Sequence, residues 1–470
     1  MIRETVSTLL ASTAVAVLVY FIVVNGAYVC LHVAGLFELR DDLRDRRWGP
    51  MYDQFASPFL PGIAVVVPAY DEASVIVDNV QSLLNVNYPD VEVVVVNDGS
   101  TDGTLDRLRE AYDLAEIDAD PPVSLPTEPV RAIYRSRDAI DLTVVDKENG
   151  GRADALNAGI ALTDQRLFCT VDADSIIDPD GLLQVVQPFL EHPEETVASG
   201  GTVRVVNGCT VEDGAVTRVD LPTGLLARLQ VPEYLRAFYS GRLGYDRFGG
   251  TLLLSGAFGV FRTDIVREIG GFATDNITED FELVMGLHEH LTDAGREHRI
   301  SFVPDPIVWT EVPTTAAALR NQRSRWYRGL IQTLRHYRHM IGNPAYGRPG
   351  WLVLPLFVLA ELLGPLVEGF GYALVGLGLA FGLVSVEFAA AYFLLAVGIG
   401  VVLSWLSIYS EVWGYRRYDR PRQQVSLLAA SVVENLGFRQ WKAFVKWRAL
   451  IGYLRGDDSW GTMVRSGFNE

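Results

Sequence analysis

Two carboxylates stand one residue apart in Asp172-Ala173-Asp174, directly after the apolar run 167–171. At a strand end such a pair can hold a hard divalent cation, and the cation can bridge two phosphates of a nucleotide. The plainer reading is a turn before Asp178-Pro179, since Asp-x-Asp is common by chance. Asp98 closes a second apolar run, in Val96-Asn97-Asp98-Gly99-Ser100. A carboxylate there can accept from the imide nitrogen of uracil, or it can cap a helix. Pro68-Ala69-Tyr70-Asp71-Glu72 closes a third run. Its backbone can wrap a base, with Tyr70 against the ring; otherwise it is a proline-terminated strand end. Gly150-Gly151-Arg152, in Lys147-Glu148-Asn149-Gly150-Gly151-Arg152, precedes a helical pattern. The glycines allow close backbone approach at a helix start, and Arg152 supplies a fixed cation for a diphosphate.

The second half of the chain carries two further constellations. Thr278-Glu279-Asp280 opens an amphipathic helix. It reads as a capping box, with Thr278 as cap and an acidic residue complementing the helix dipole. It also reads as chemistry, with Asp280 a general base for an acceptor hydroxyl and Glu279 grouped with it as a catalytic carboxylate. The small residues of Ser255-Gly256-Ala257-Phe258-Gly259 would let an acceptor sugar approach the backbone at Gly256. Gln322, Arg325 and Trp326 fall on one helical side at i, i+3 and i+4. Trp326 offers a face for a sugar ring and Arg325 a partner for phosphate; the alternative is an Arg/Trp turn beside a membrane. Asn276-Ile277-Thr278 matches a glycosylation sequon and is set aside, because a cytoplasmic domain is expected here.

These residues need elements to hold them. The runs 63–67, 91–96, 140–145 and 167–171 are apolar and β-branched, which predicts buried strands. Helical spacing over 72–84 and 153–162 lies between them, and Ser100, Thr101 or Asp102 can cap a helix after the second strand. Alternating strands and helices imply a parallel sheet with ligands at the carboxyl ends of its strands. Asp98 and Asp172 fall at such ends. Residues 114–130 read as an acidic loop and 205–222 as a polar hairpin insertion.

The chain has 470 residues, 49% of them hydrophobic, and a net charge of −18. An acidic balance argues against nucleic acid as a partner. The segment 8–36 is long and apolar enough to cross a bilayer once and too long for a cleavable signal peptide. Arginines 40, 44, 46 and 47 follow it and place that flank in the cytoplasm. Residues 351–384 and 387–410 read as two further spans, the first interrupted by Pro355, Glu361, Pro365 and Glu368. Tyr415-Arg416-Arg417 to Arg422 returns a basic stretch to the cytoplasm. Residues 424–455 read as one interfacial amphipathic helix, with a further span as the alternative. Only three residues, Lys147, Lys442 and Lys446, are lysine among 40 basic residues. An acidic, lysine-poor surface suggests a high-salt cytoplasm; an arginine-favouring genome is the bland explanation. Three scattered cysteines have no metal spacing and fit a reduced compartment.

The ordered set resembles the membrane-embedded family-2 glycosyltransferases with a GT-A domain, in particular the poly-N-acetylglucosamine, hyaluronan, chitin and cellulose synthases. The resemblance covers 60–330 and extends to Trp460-Gly461-Thr462-Met463-Val464-Arg465. It implies a Rossmann-like, mostly parallel α/β sheet flanked by transmembrane helices. It implies uridine contacts from Ala69, Tyr70, Glu72 and Asp98, and phosphate or uridine contact from Arg152, where these synthases usually carry lysine. It also implies nucleotide and sugar contact from Asp172, Mn2+ or Mg2+ on Asp174 with Asp172 beside it, and Asp280 as base. Gln322, Arg325 and Trp326 match the product-terminus motif.

The expected organisation is a transmembrane helix over 1–39, a linker over 40–60, a cytoplasmic catalytic domain over 61–340, two membrane helices over 350–412, and an interfacial helix with cytoplasmic tail over 413–470. The expected activity is inverting, metal-dependent transfer from a UDP-sugar such as UDP-N-acetylglucosamine onto a β-linked glycan in the cell membrane. The alternatives are transfer of one sugar to a lipid carrier or lipid-linked glycan, and a non-catalytic protein on a borrowed fold. Donor, glycan or lipid-linked acceptor and membrane lipids are the expected partners. Oligomeric state is unreadable from these residues.

Overall fold

A computed structural model describes residues 2–46, 60–119, 123–138 and 140–456. The Trp460 to Arg465 motif lies outside them. The chain divides into two units. One is an α/β unit built from Glu38–Thr223 and Asp246–Val312. The other is helical, built from Met1–Phe37, Gly224–Tyr245 and the described residues from Pro313 onward.

The α/β unit contains β1 (Ile63–Ala69), β2 (Val91–Asp98), β3 (Leu114–Ile117), β4 (Val130–Ser136), β5 (Leu142–Lys147) and β6 (Leu167–Val171). It continues with β7 (Ser175–Ile177), β8 (Thr196–Val205), β9 (Thr210–Glu212), β10 (Ala215–Arg218), β11 (Phe258–Arg262) and β12 (Arg299–Thr310). Ten strands form one sheet in the order β3-β4-β5-β2-β1-β6-β11-β8-β12-β7, and β9 with β10 form a small hairpin. The expected parallel core is β5-β2-β1-β6. It is flanked by antiparallel neighbours, β4 on one side and β11 on the other, so the sheet is mixed. Residues 63–67 and 93–96 are wholly buried, which explains why these strands read as unbroken apolar runs.

Two local expectations shift and one holds. The helix expected from residue 72 begins at Ile76. Asp71 adopts a left-handed φ of 56°, and the next N–H groups bond away from a helix: Glu72 donates to Thr104 Oγ1 (2.9 Å) and Ala73 to Asp102 Oδ2 (3.1 Å). In return Thr101 N–H donates to Asp71 Oδ1 (2.7 Å), so Thr101 clamps a loop while Asp102 Oδ1 accepts from Thr104 N–H (2.9 Å) at the helix start. The acidic loop 114–130 begins with a strand, β3, paired antiparallel to β4. Residues 205–222 form the expected hairpin, β9–β10.

In the helical unit, three helices are long and apolar enough to cross a membrane: Ser12–Arg44, Pro349–Ala380 and Val386–Gly414. Ser385 opens the last by accepting the Phe388 N–H (3.2 Å). Val17 and Phe21 pack against Val375, Tyr392 and Ala396. The single helix expected over 424–455 is two, Pro421–Val433 and Arg439–Leu454. They meet at a π-helical turn in which Leu436 and Gly437 leave helical geometry. Lys442 and Arg439 turn inward, while Arg448 and Arg455 stay exposed. Glu434, wholly buried, accepts from Arg236 Nη1 (2.9 Å) and Lys442 Nζ (3.0 Å), and Arg439 pairs with Glu368 (3.1 Å). Buried charges are retained only when paired in this way.

Candidate active site

The carboxyl ends of the parallel strands carry the predicted residues. β6 ends at Val171, so Asp172 leaves the sheet at its crossover from parallel to antiparallel pairing. The Asp172 N–H reaches the Ala257 carbonyl (3.4 Å), which draws the Ser255–Ala257 segment alongside. Arg152 opens the helix Arg152–Leu162. Its guanidinium spans the site. Nε and Nη2 approach Asp172 Oδ1 at 2.9 and 2.8 Å, Nη1 pairs with Glu279 Oε1, and Nη2 donates to the Gly256 carbonyl. Burial opposes its charge, but the Asp172, Glu279 and Asp280 carboxylates outweigh burial and raise its pKa further. A Cβ on Gly256 would stand 2.9 Å from Asp280 Oδ2, so that carboxylate lies against the backbone. Asp172, Arg152, Gly256, Glu279 and Asp280 therefore form one constellation.

The helix Glu279–Asp293 carries Glu279 and Asp280. The expected cap is not made by Thr278, whose N–H and hydroxyl turn to Asn276 Oδ1 (3.0 and 3.5 Å). Asp280 Oδ1 instead accepts the Phe281 N–H (2.8 Å). Glu279 is tied to Arg152, which separates the roles of two adjacent carboxylates.

Asp174 is nearly buried, and its Oδ1 receives Ser175 Oγ (3.3 Å) and Thr310 Oγ1 (3.4 Å). Among the described residues no group of three His, Cys, Asp or Glu side chains is gathered to hold a metal ion. Asp172 and Asp174 nevertheless fit Mg2+ or Mn2+. Such ions take one or two carboxylates and fill the remaining positions with substrate phosphate oxygens and water.

Ala69 is buried, Tyr70 is 49% exposed at the loop tip, and Glu72 is buried behind it. Asp98 is buried and engaged. Lys147 Nζ donates to Oδ1 (2.9 Å), Gly150 N–H to Oδ1 (2.9 Å) and Gly151 N–H to Oδ2 (2.8 Å). Asn149 Nδ2 adds bonds to Oδ2 (3.2 Å) and to the Asp98 carbonyl (2.8 Å). Sequence reasoning missed this inner layer. Asp154 and Asn149 carry no motif of their own, and the signal available for Lys147 was its rarity.

Gln322, Arg325 and Trp326 belong to the helical unit, on the helix Ala316–His336. Gln322 Oε1 is buried with no hydrogen-bond partner among the described residues. Trp326 is 40% exposed, and the Arg323 guanidinium lies 4.3 Å from the centre of its ring. Arg323 is a further residue the sequence did not single out; it also reaches Glu233 (3.3 Å).

The family described as "Glycosyltransferase like family 2" matches residues 61–329. Poly-β-1,6-N-acetyl-D-glucosamine synthase of Staphylococcus epidermidis is 27% identical over 269 residues, covering 57% of this chain and 54% of the relative. The synthase of Staphylococcus aureus strain COL is 28% identical over 271 residues, covering 57% and 55%. The chain thus spans about half the length of the curated relatives it matches. Among solved structures, the mannosyltransferase PcManGT from Pyrobaculum calidifontis, in complex with GDP-Man and Mn2+, aligns with a TM-score of 0.51 at 19% identity. That alignment covers 88% of this chain and 99% of the other, and it speaks to the fold alone. With the family matched across more than half its length and a GT-A neighbour for its sheet, this chain belongs to glycosyltransferase family 2.

Proposed function

We propose that the chain is an inverting, metal-dependent membrane glycosyltransferase that extends a β-linked polysaccharide from a UDP-sugar, with UDP-N-acetylglucosamine the first donor to test. The observation that carries this reading is the convergence of Arg152, Asp172, Glu279, Gly256 and Asp280 where β6 leaves the sheet. The acceptor hydroxyl would lie beside Gly256 and give its proton to Asp280 Oδ2. Its oxygen then bonds to the anomeric carbon as the bond from that carbon to the diphosphate oxygen breaks. UDP leaves with the electron pair, and the configuration inverts. Glu279 holds Arg152, whose guanidinium meets the diphosphate. Ala69, Tyr70, Glu72 and Asp98 frame the uridine. When bound on Asp172 and Asp174, Mg2+ or Mn2+ neutralises charge on the leaving diphosphate. Gln322, Arg325 and Trp326 engage the acceptor end of the glycan, with Trp326 as the stacking face.

The same reading assigns the catalytic domain to 61–340, membrane helices to 1–39 and 350–412, and 413–470 to an interfacial helix and tail. It places the catalytic domain on the cytoplasmic side of the cell membrane. The basic residues Arg40 and Arg44 at the C-terminal end of the first candidate span and Arg416 and Arg417 after the third support that orientation. A donor screen with UDP-N-acetylglucosamine, UDP-glucose and UDP-glucuronate, with and without EDTA, tests the activity. Product sizing separates a growing polymer from a single addition to a lipid-linked acceptor. Absence of UDP release with every donor and both metals would refute catalysis.

A further inference from the structure

Of the three lysines among 40 basic residues, Lys147 and Lys442 are buried and Lys446 is half-buried. Lys147, the last residue of β5, is fully covered. Its Nζ stands 2.9 Å from Asp98 Oδ1, 2.5 Å from Asp154 Oδ1 and 2.5 Å from the Glu148 carbonyl. Nζ donates hydrogen bonds to Asp98 Oδ1 and the Glu148 carbonyl, and Asp154 Oδ1 is its ion-pair partner. A planar guanidinium cannot place one nitrogen on three such partners.

The two aspartates pass this constraint on. Asp98 receives the N–H groups of Gly150 and Gly151 and the amide of Asn149. Asp154 sits in the first turn of the helix Arg152–Leu162, and its Oδ2 accepts the Glu128 N–H (2.8 Å). A Cβ on Gly150 would meet Asp154 Cγ at 2.4 Å, and Gly151 holds a φ of 88°. The next residue is Arg152. One buried cation thus binds the end of β2, the end of β5 and the helix start into a single block.

We propose that Lys147 is a positioning residue for the donor diphosphate. It touches no substrate; it fixes Asp98 and Asp154, and through them the backbone of Gly150 and Gly151 and the origin of Arg152. The proposal rests on the reading of Arg152 and the glycines as the diphosphate site. Misplacing such a group by about 1 Å costs up to ~10²-fold.

The test uses the full-length protein in nanodiscs, with Lys147→Arg, Lys147→Met, Asp154→Asn and Arg152→Ala. Calorimetry reads UDP binding in the presence of Mn2+, kinetics read donor KM and kcat, and thermal unfolding reads folding. Lys147→Arg is expected to weaken UDP binding and raise donor KM about tenfold, with kcat changed less than KM and unfolding within a few degrees of wild type. Lys147→Met is expected to lose more, and Asp154→Asn to follow Lys147→Arg. If Lys147→Met does not fold, Lys147→Arg and Asp154→Asn carry the decision. Wild-type UDP affinity and KM in a folded Lys147→Arg, beside a weakened Arg152→Ala, overturn the positioning role alone. UDP affinity unmoved in Arg152→Ala overturns the diphosphate reading, and this role with it.

Discussion

The side chain that Gly256 lacks would begin 2.9 Å from Asp280 Oδ2. Real Cβ atoms do not sit that close to a carboxylate oxygen, so the two positions are sterically coupled. Gly256→Ala must push the carboxylate away from the backbone that also accepts Arg152. The expected outcome is a loss of about 10²-fold in kcat with a small change in melting temperature. Steady-state kinetics beside calorimetric unfolding check it. A fully active Gly256→Ala would mean that Asp280 need not lie against this backbone.

Asp280→Asn removes the proposed base and keeps its shape. Proton transfer of this kind contributes ~10²–10⁴-fold, so turnover is expected to fall within that range while UDP binding stays near wild type. Separate measurement of UDP affinity and of sugar transfer distinguishes the two effects. Turnover retained by Asp280→Asn would assign the proton to another group.

Arg152→Lys introduces the residue type that the resemblance implies here, yet it is expected to impair this chain. The guanidinium meets Asp172, Glu279 and the Gly256 carbonyl at once. One ammonium cannot span all three, leaving Glu279 without its cation. The expected loss is about 10- to 100-fold in kcat/KM. Equal activity in Arg152→Lys would show that charge alone matters here.

His288 links the α/β unit to pH. It is buried, with Nε2 2.9 Å from the Thr251 carbonyl and Nδ1 2.9 Å from His298 Nε2. The carbonyl requires an N–H on Nε2, and Nδ1 shares a hydrogen bond with His298, whose own Nδ1 lies 3.2 Å from the Arg296 carbonyl. Burial first, then the neighbouring His298, pushes the His288 pKa down to about 4. A base with a depressed folded-state pKa prefers to stay neutral. Its contribution is complete above the unfolded value of about 6.5 and is lost as pH falls toward about 4. Wild type is expected to lose about 2–3 kcal/mol more than His288→Gln over that window, read by denaturant unfolding at pH 7 and pH 4. Parallel pH profiles would remove His288 as the cause.

The strands were legible because their chemistry is local. The runs at 63–67 and 167–171 have the β-branched composition of strands buried on both faces, and they fold as β1 and β6. The positions of Asp98 and Asp172 at strand ends followed from that. What escaped depends on contacts distant in sequence. Glu72 and Ala73 stay out of the expected helix because Thr104 and Asp102, beyond the next strand end, take their N–H groups. Lys442 and Arg439 look like a solvent-facing stripe until Glu434, Glu233 and Glu368 are seen to receive them. Glu279 and Asp280 are adjacent in sequence and alike in type, and only the reach of Arg152 tells them apart.

The pairing of β6 with β11 joins Val171 to Phe258 and Leu167 to Arg262, in opposed directions. Asp172 therefore leaves one strand at the level where the other strand enters from Gly256 and Ala257. Slipping this ladder by one residue would shift the two by about 3.4 Å and turn every side chain of the slipped strand to the opposite face. The placement of Asp172 beside Gly256 in the candidate site is thus tied to a row of backbone hydrogen bonds. Assembly errors in this one strand pair would yield a chain with every reactive residue intact and no working centre.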